Sequence, residues 1–521
     1  MQGNKSNSFL KGALSLSISV ILVKILGVAF KIPLSYVLGD EGMGYFNTAY
    51  SIYGFFYILC TAGVPKSLTL VLSEVRLKSN STSSDEEVLR CGLKMFALIG
   101  GFATLLNIMC APALIAFIGN KKALLSVIAV APSTLFVSMS GVIRGYMNSR
   151  EKLTIIASSQ LIEAGVKLAL GLAFAMLGVK CKMSIHLISA LAILGITIGS
   201  VISCVYLYIS SKNINDRNNI RQNSNFDAYN IRKKIVKNAL PIALSSSLLN
   251  LSATIDLAII IRRLVSSGMS EGYANSIYGN YTTLAVPMFN LVISVLAPIA
   301  TSYMPRLTDM NLIDNREEFG KTLNKLLWIT LIISTPTSLT LYFYSFDLLD
   351  VLFSIQSSAI GAEMLIVLSL GICLLCTLTV VNTALESKGM IGATVISLLL
   401  GCAVKLGVSY FLIGKESVGI LGAPLGTVIS YVVSLAVSML VLTSSGIKVF
   451  GIFKMAFLFL LAIISFYPSY KYIYCRMLLG SSFVTMILSI CLSLFVYTLM
   501  LLVTYFIYKK GKSVNMYKNK L

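Results

Sequence analysis

The chain has 521 residues, of which 56% are hydrophobic and only 12% charged, with a mean hydropathy of +0.84. Soluble domains run nearer about 45–50% apolar and about 25% charged, so water is not the solvent for most of this chain. The formal net charge of +21 raises the question of nucleic acid, and the placement of the bases answers it.

A membrane crossing needs roughly 20 mostly apolar residues, and about fourteen such stretches can be marked along the chain. The first seven lie at 10–37, 45–75, 91–118, 122–147, 153–179, 184–210 and 237–261. The second seven lie at 276–303, 322–346, 360–385, 389–413, 418–443, 451–470 and 481–508. The expected fold is an all-α integral membrane protein with about 14 transmembrane helices: two pseudo-symmetric six-helix lobes plus two C-terminal helices. The N-terminal lobe is placed at 1–211 (helices 1–6), a cytoplasmic linker at 212–236 and the C-terminal lobe at 237–445 (helices 7–12). Helices 13–14 follow at 446–508, and a basic cytoplasmic tail at 509–521.

Segment one is too long for the apolar core of a cleavable signal and carries Lys24 and Lys31 within it. Those lysines are seven positions apart and share a helix face. Segment two reads Ser51-Ile52-Tyr53-Gly54 and then Val64-Pro65-Lys66, and segment four contains Pro132. Segment five carries Gln160, Glu163 and Lys167 at i, i+3 and i+7, a polar stripe in which Glu163 and Lys167 can pair. Segment six begins beside the one histidine, His186, an interfacial residue; segment seven holds a deep acid, Asp256. Segment eight repeats the earlier block as Ser276-Ile277-Tyr278-Gly279, followed by Val286-Pro287. Pro65, Pro132 and Pro287 each remove a backbone donor and are expected to bend or break their helices. Cys373 and Cys376 form a CxxC in segment ten, but its apolar surroundings make them small buried hydrophobes. Segment eleven presents Lys405.

With the N-terminus inside, about 27 of the 42 Lys and Arg fall on the cytoplasmic side and about 9 outside. This bias predicts an even number of crossings of the cell membrane with both termini cytoplasmic. The cluster at Arg232, Lys233, Lys234 and Lys237, and the tail after Lys509, then serve as topology and anionic-lipid anchors, not nucleic-acid contacts.

The two SIYG blocks are 225 positions apart (Ser51 to Ser276), and the interval from Arg150 to Lys167 equals that from Lys388 to Lys405. In order and at similar offsets, these matches predict a duplicated six-helix unit, parallel in the membrane, with a substrate path between the copies. Lys405 is the repeat counterpart of Lys167.

Charges inside spans cost about 2.5–3.5 kcal/mol each on insertion scales and usually face a bundle interior or a wet cavity. The candidate substrate-binding residues are Lys24, Lys31, Lys66, Gln160, Glu163, Lys167 and Lys405. Asp256 and Glu163 are candidates for ion coupling or charge balance, although lysines near a span end can also snorkel to the interface. Several cations against two deep acids favour an anionic substrate, phosphate above all. The sequence contains no HExxH, no GxxxxGK[ST] loop and no polar domain to house a nucleophile, so neither enzyme chemistry nor a cofactor or metal is expected.

The stretch Lys24-Ile-Leu-Gly27, Lys31-Ile-Pro-Leu34, Leu38-Gly39-Asp-Glu-Gly42-Met-Gly44, through Ala62-Gly63-Val64-Pro65, resembles the opening of a known family. So do Arg144-Gly145-Tyr146, Ser159-Gln160 with Glu163, and Asp256 followed by Arg262-Arg263. The family is that of stage V sporulation protein B and related polysaccharide-biosynthesis exporters. It belongs to the multidrug/oligosaccharidyl-lipid/polysaccharide (MOP) superfamily, which includes the lipid II flippase. The resemblance implies two lobes in a V, alternating access and a lipid-linked saccharide pyrophosphate as cargo. In related flippases, cations on helix one help hold the pyrophosphate; the matching positions here are Lys24 and Lys31, where the family more often has arginine. Lysine keeps the charge and loses the bidentate fork. The arginines that some lipid II flippases carry in segment two have no counterpart here, and the apolar part of segment eight has no base.

The expected function is a flippase or exporter of lipid-linked cell-wall or spore-cortex saccharide precursors, with a cationic cavity on the (pyro)phosphate. The alternatives are a MATE-type drug or organic-cation antiporter and a non-transporting scaffold for wall synthesis. Expected partners are the lipid-linked oligosaccharide or another anionic lipid, membrane lipids and wall-synthesis enzymes.

Overall fold

A computed structural model describes residues 2–61, 63–65, 67–69, 71–72, 82–215, 228–313, 315–353, 355–415, 417–447, 452–468, 470–471 and 482–518. Every regular element among them is helical. That is the expected outcome where hydrocarbon offers the backbone no partner and each N–H and C=O must be satisfied within its own segment. Side chains such as Leu98, Met109 and Phe411 are 70–79% exposed, as lipid-facing residues are and core residues of a soluble protein are not.

The chain forms two compact units, residues 1–283 with 413–417, and residues 284–412 with 418–521. The first unit opens with α1, Gln2–Thr61, whose single non-helical residue is Gly39 at φ 62° and ψ −176°. Sixteen residues of straight helix would separate Phe30 from Phe46 by about 24 Å, yet their ring centroids are 5.8 Å apart. The helix therefore doubles back at Gly39, a backbone angle that glycine reaches without a Cβ penalty. Its two arms correspond to the first expected segment and the described part of the second.

Next come α2 (Thr82–Ile118), a 3₁₀ turn at Lys121–Ala123, α3 (Leu124–Val130) and α4 (Ser133–Ser149). The break between α3 and α4 falls at Pro132, as the missing donor dictates. They are followed by α5 (Leu153–Lys180), α6 (Ile185–Asn215), α7 (Ala228–Ser266) and α8 (Glu271–Asn280). Helices α5 and α6 meet backbone to backbone: a Cβ on Gly195 would overlap Gly171, and one on Gly199 would crowd the Glu163 carbonyl. Small residues at such seams let dispersion act where no hydrophobic effect drives helices together. A buried cluster including Leu68, Val142, Tyr146, Leu207 and Ile235 fills the other end of this unit.

The second arm of α1 also packs closely on α8. A Cβ on Gly44 would strike the Asn275 carbonyl, and one on Gly279 the Asp40 carbonyl. Around these glycines, Asn120 donates to Thr48 Oγ1 (3.0 Å) and Asn275 Oδ1 (2.7 Å), and Asn275 Nδ2 to the Glu41 carbonyl (2.7 Å). Asn280 reaches Asp40 at 3.1 Å, Asn47 reaches Thr283 at 2.7 Å, and Ser51 and Tyr278 share a hydrogen bond of 3.1 Å. That last pair joins the two SIYG blocks directly.

A π-helical turn, Tyr281–Ala285, follows α8. In the second unit come α9 (Val286–Ser302), α10 (Met304–Leu312), α11 (Arg316–Phe343), α12 (Ser345–Leu352) and α13 (Ile355–Ser387). Then α14 (Ile391–Ile413), α15 (Gly422–Ser444), α16 (Ile452–Pro468) and α17 (Ser482–Lys518) complete the chain. Helices α11, α13 and α15 enclose a core that includes Leu323, Leu327, Val381, Leu385 and Leu442. Helices α16 and α17 dock on α11 and α12, where Tyr344 and Ser489 are hydrogen-bonded at 2.5 Å.

Ten described helical stretches are long and apolar enough to cross a membrane, with the hairpin of α1 taken as one. Expected segment seven lies in α7, and segment eight is divided among α8, the π turn and α9. Segment thirteen lies in α16, whose Leu458–Pro468 part is a shorter apolar helix. Fourteen crossings stay an expectation against these ten.

Candidate functional site

A cavity of about 580 Å³ lies wholly within the first unit, among the arms of α1 and helices α4, α5 and α6. The first arm of α1 supplies Val20, Val23, Lys24, Leu26 and Gly27, and the second supplies Tyr50, Tyr53, Gly54, Tyr57 and Ile58. Helix α4 gives Arg144, α5 gives Gln160, Glu163, Ala164 and Lys167, and α6 gives Ile196. The hairpin at Gly39 is what brings Lys24 opposite Tyr57. A Cβ on Gly27 would meet nothing within 4 Å, so the missing side chain is itself part of the opening.

Arg144 organises one wall. Its Nη2 donates to Glu163 Oε2 at 2.8 Å and to Ser203 Oγ at 3.4 Å, and its Nε donates to Ser159 Oγ at 3.3 Å. Tyr57 lines the cavity beside this cluster. Three helices, α4, α5 and α6, thus meet at one planar cation, the kind of fixed multi-donor geometry arginine supplies and lysine does not. The expected Glu163–Lys167 pair is replaced by Arg144–Glu163. Lys167 instead stands 4.7 Å from the Tyr50 ring centroid and 5.3 Å from that of Phe30, where aromatic faces attract a cation by about 0.5–2 kcal/mol. The lining holds three cations, Lys24, Arg144 and Lys167, and one acid, Glu163.

Of the expected site residues, Lys24, Gln160, Glu163 and Lys167 come together here. Lys31 lies just beyond: its Nζ donates to the Thr282 carbonyl at 3.1 Å and stands 6.0 Å from the Tyr50 centroid. In a π turn the Thr282 carbonyl looks to the N–H of residue 287, which is proline, so Lys31 supplies the donor that Pro287 lacks. Asp256 is buried on α7, 4% exposed, and outside the cavity lining. Lys405 is half-buried on α14 in the second unit. Lys66 lies outside the described residues. Cys373 and Cys376 are buried and carry no disulfide, and Ser334 donates to Cys373 Sγ at 3.7 Å.

Sequence reasoning passed over Arg144 as a site residue and also Tyr50, Tyr53 and Tyr57. Arg144 falls near the end of its expected segment, where a base reads as interfacial. The three tyrosines recur at i, i+3 and i+7, one face of a helix, and that spacing was the available signal.

The profile of the family described as "Polysaccharide biosynthesis protein" matches residues 9–311. Stage V sporulation protein B of Bacillus subtilis (strain 168) is 22% identical over 425 residues, 81% of each chain. Lipid II flippase MurJ of the same organism is 23% identical over 172 residues, 31% of each chain. Among solved structures, lipid II flippase MurJ in an inward closed conformation matches with a TM-score of 0.72 at 16% identity, covering 94% of this chain and 98% of that one. An inward-facing multidrug resistance MATE family transporter of the MOP superfamily matches at 0.62 and 14% identity, covering 82% and 96%. The fold is shared with both.

Proposed function

Because the chain belongs to the polysaccharide biosynthesis protein family, we propose that it is a flippase or exporter that carries a lipid-linked saccharide precursor across the membrane, gripping its (pyro)phosphate in the α1–α4–α5 cavity. The observation that carries this reading is the lining: three cations and one acid in a cavity between apolar helices. Charges so placed are expensive unless they serve a purpose. A net positive cavity of this size suits a phosphate-bearing headgroup. It does not suit an organic cation, for which an antiporter of the same fold would need surplus acid. The cargo in the name of one related protein, lipid II flippase MurJ, agrees with this reading.

Lys24 and Lys167 are the phosphate contacts, free to move on flexible stems. Arg144 is held by Glu163 until cargo competes for it. The cavity is offered alternately to the two sides, with both termini cytoplasmic as the loop charges predict. The chain performs no covalent chemistry in this reading.

The test is reconstitution in vesicles with a fluorescent prenyl-diphospho-sugar and a membrane-impermeant reductant to score the exposed leaflet. Lys24→Gln and Lys167→Gln should each slow transfer by about tenfold or more, the loss of one charge-assisted contact. Undiminished transfer by a folded double variant would sink the cationic-site reading.

A further inference from the structure

The cavity has a second chemistry that phosphate does not use. Tyr50, Tyr53 and Tyr57 line the second arm of α1 as a run of mutually inclined rings, with centroids 6.0 Å apart and planes at 48° from Tyr50 to Tyr53, and 5.5 Å apart at 61° from Tyr53 to Tyr57. All three border the cavity. The run rises about 10 Å along the helix. At one end is Lys167, over the Tyr50 ring. At the other, Tyr57 shares the cavity lining with Arg144. A cavity of about 580 Å³ lies in the range that encloses a drug-sized ligand, well beyond a diphosphate, and the prenyl chain has lipid to lie in.

A pyranose ring fits what is left. Its C–H face is flat and apolar and its rim is polar, so it is matched by flat rings edged with hydroxyls. Gln160 adds an amide that both donates and accepts, and Glu163 adds acceptor oxygens. Aromatic faces also attract organic cations, but Lys167 and Lys31 already stand over Tyr50 and repel a third positive charge.

We infer that the Tyr50–Tyr53–Tyr57 face is a saccharide platform, on which the sugar attached to the diphosphate stacks while the neighbouring cations hold the phosphates. This rests on the transport reading above, and it assigns the reading of the glycan to the aromatic face of α1.

The test uses the full chain in nanodiscs with three probes: farnesyl diphosphate, farnesyl diphosphate bearing one N-acetylglucosamine, and the free disaccharide di-N-acetylchitobiose. The wild type should bind the glycosylated lipid about tenfold more tightly than the bare diphosphate. Tyr50→Leu and Tyr53→Leu should each bring that ratio to about one, and Tyr53→Leu, which leaves the Tyr50 ring beneath Lys167, should keep bare-diphosphate affinity within about threefold. Tyr50→Phe and Tyr53→Phe, which keep the rings, should retain most of the ratio. A ratio of one in the wild type, or a ratio that survives the leucine variants, would overturn the platform. Where leucine variants fail to fold, Tyr53→Trp in a Trp328→Phe background reports directly. Its emission should shift with the glycosylated lipid and not with the bare one, and no shift overturns the inference. Failure of the wild type to bind bare diphosphate would count against the phosphate grip alone. Binding of the free disaccharide, lost in the leucine variants, would still support the platform.

Discussion

Arg144 holds Glu163, Ser159 and Ser203 at once, so its removal does more than subtract a charge. Arg144→Met leaves Glu163 without its ion-pair partner, a loss of about 3–5 kcal/mol for a buried pair and less here because Glu163 keeps 21% exposure and shares the cavity with Lys24 and Lys167. The double variant Arg144→Met/Glu163→Leu removes both charges and should recover most of the loss. Thermal unfolding in detergent should therefore rank the double variant above the single one, and the reverse order would show that the pair stabilises beyond mutual neutralisation. Gly27 gives a complementary prediction. Since a Cβ there meets nothing within 4 Å, Gly27→Phe should fold with a Tm within a few degrees of wild type, filling the opening and abolishing headgroup binding and transfer.

At the scale of helices, the contact between α1 and α8 tolerates no side chain at Gly44 or Gly279, because the atoms in the way are backbone carbonyls. Gly44→Leu and Gly279→Leu should each cost folded yield and thermal stability. Gly101→Leu, on an open face of α2 where a Cβ meets nothing, should be close to neutral by the same measure. Much of this level was legible beforehand. Apolar runs located the helices, Pro132 marked a break that the backbone carries out, and Pro287 stands just past a π turn. The contact between the two SIYG blocks, Ser51 to Tyr278, was not legible, because a repeat gives correspondence and not proximity. Nor was the Arg144–Glu163 pair. Spacing within one helix favours Glu163–Lys167, and only the packing of α4 on α5 and α6 brings a better partner.

At the scale of the whole molecule, the charges between the spans are the basis of the proposed orientation. With native cysteines replaced, an impermeant maleimide should label Lys182→Cys from outside intact cells. Asn218→Cys, in the basic connection after α6, should be labelled only after permeabilisation. The opposite pattern would invert the proposed topology and with it the direction of transfer. The composition made a membrane protein legible at once. Which cations share a cavity was not, since Lys24 and Lys31 occupy one expected helix face yet one borders the opening and the other serves the Thr282 carbonyl.

The hairpin at Gly39 has a consequence for biogenesis. Two lysines on the first arm would charge the translocon about 2.5–3.5 kcal/mol apiece at mid-bilayer depth if that arm entered lipid alone. Tyr50 comes within 6.0 Å of Lys31 only after the second arm has been synthesised and has turned back. The first arm should therefore be retained until residue 61 has emerged, and the two arms released into lipid together. Nascent chains stalled soon after Gly39 should remain crosslinkable to the insertion machinery, and those long enough to expose Thr61 should partition into the bilayer.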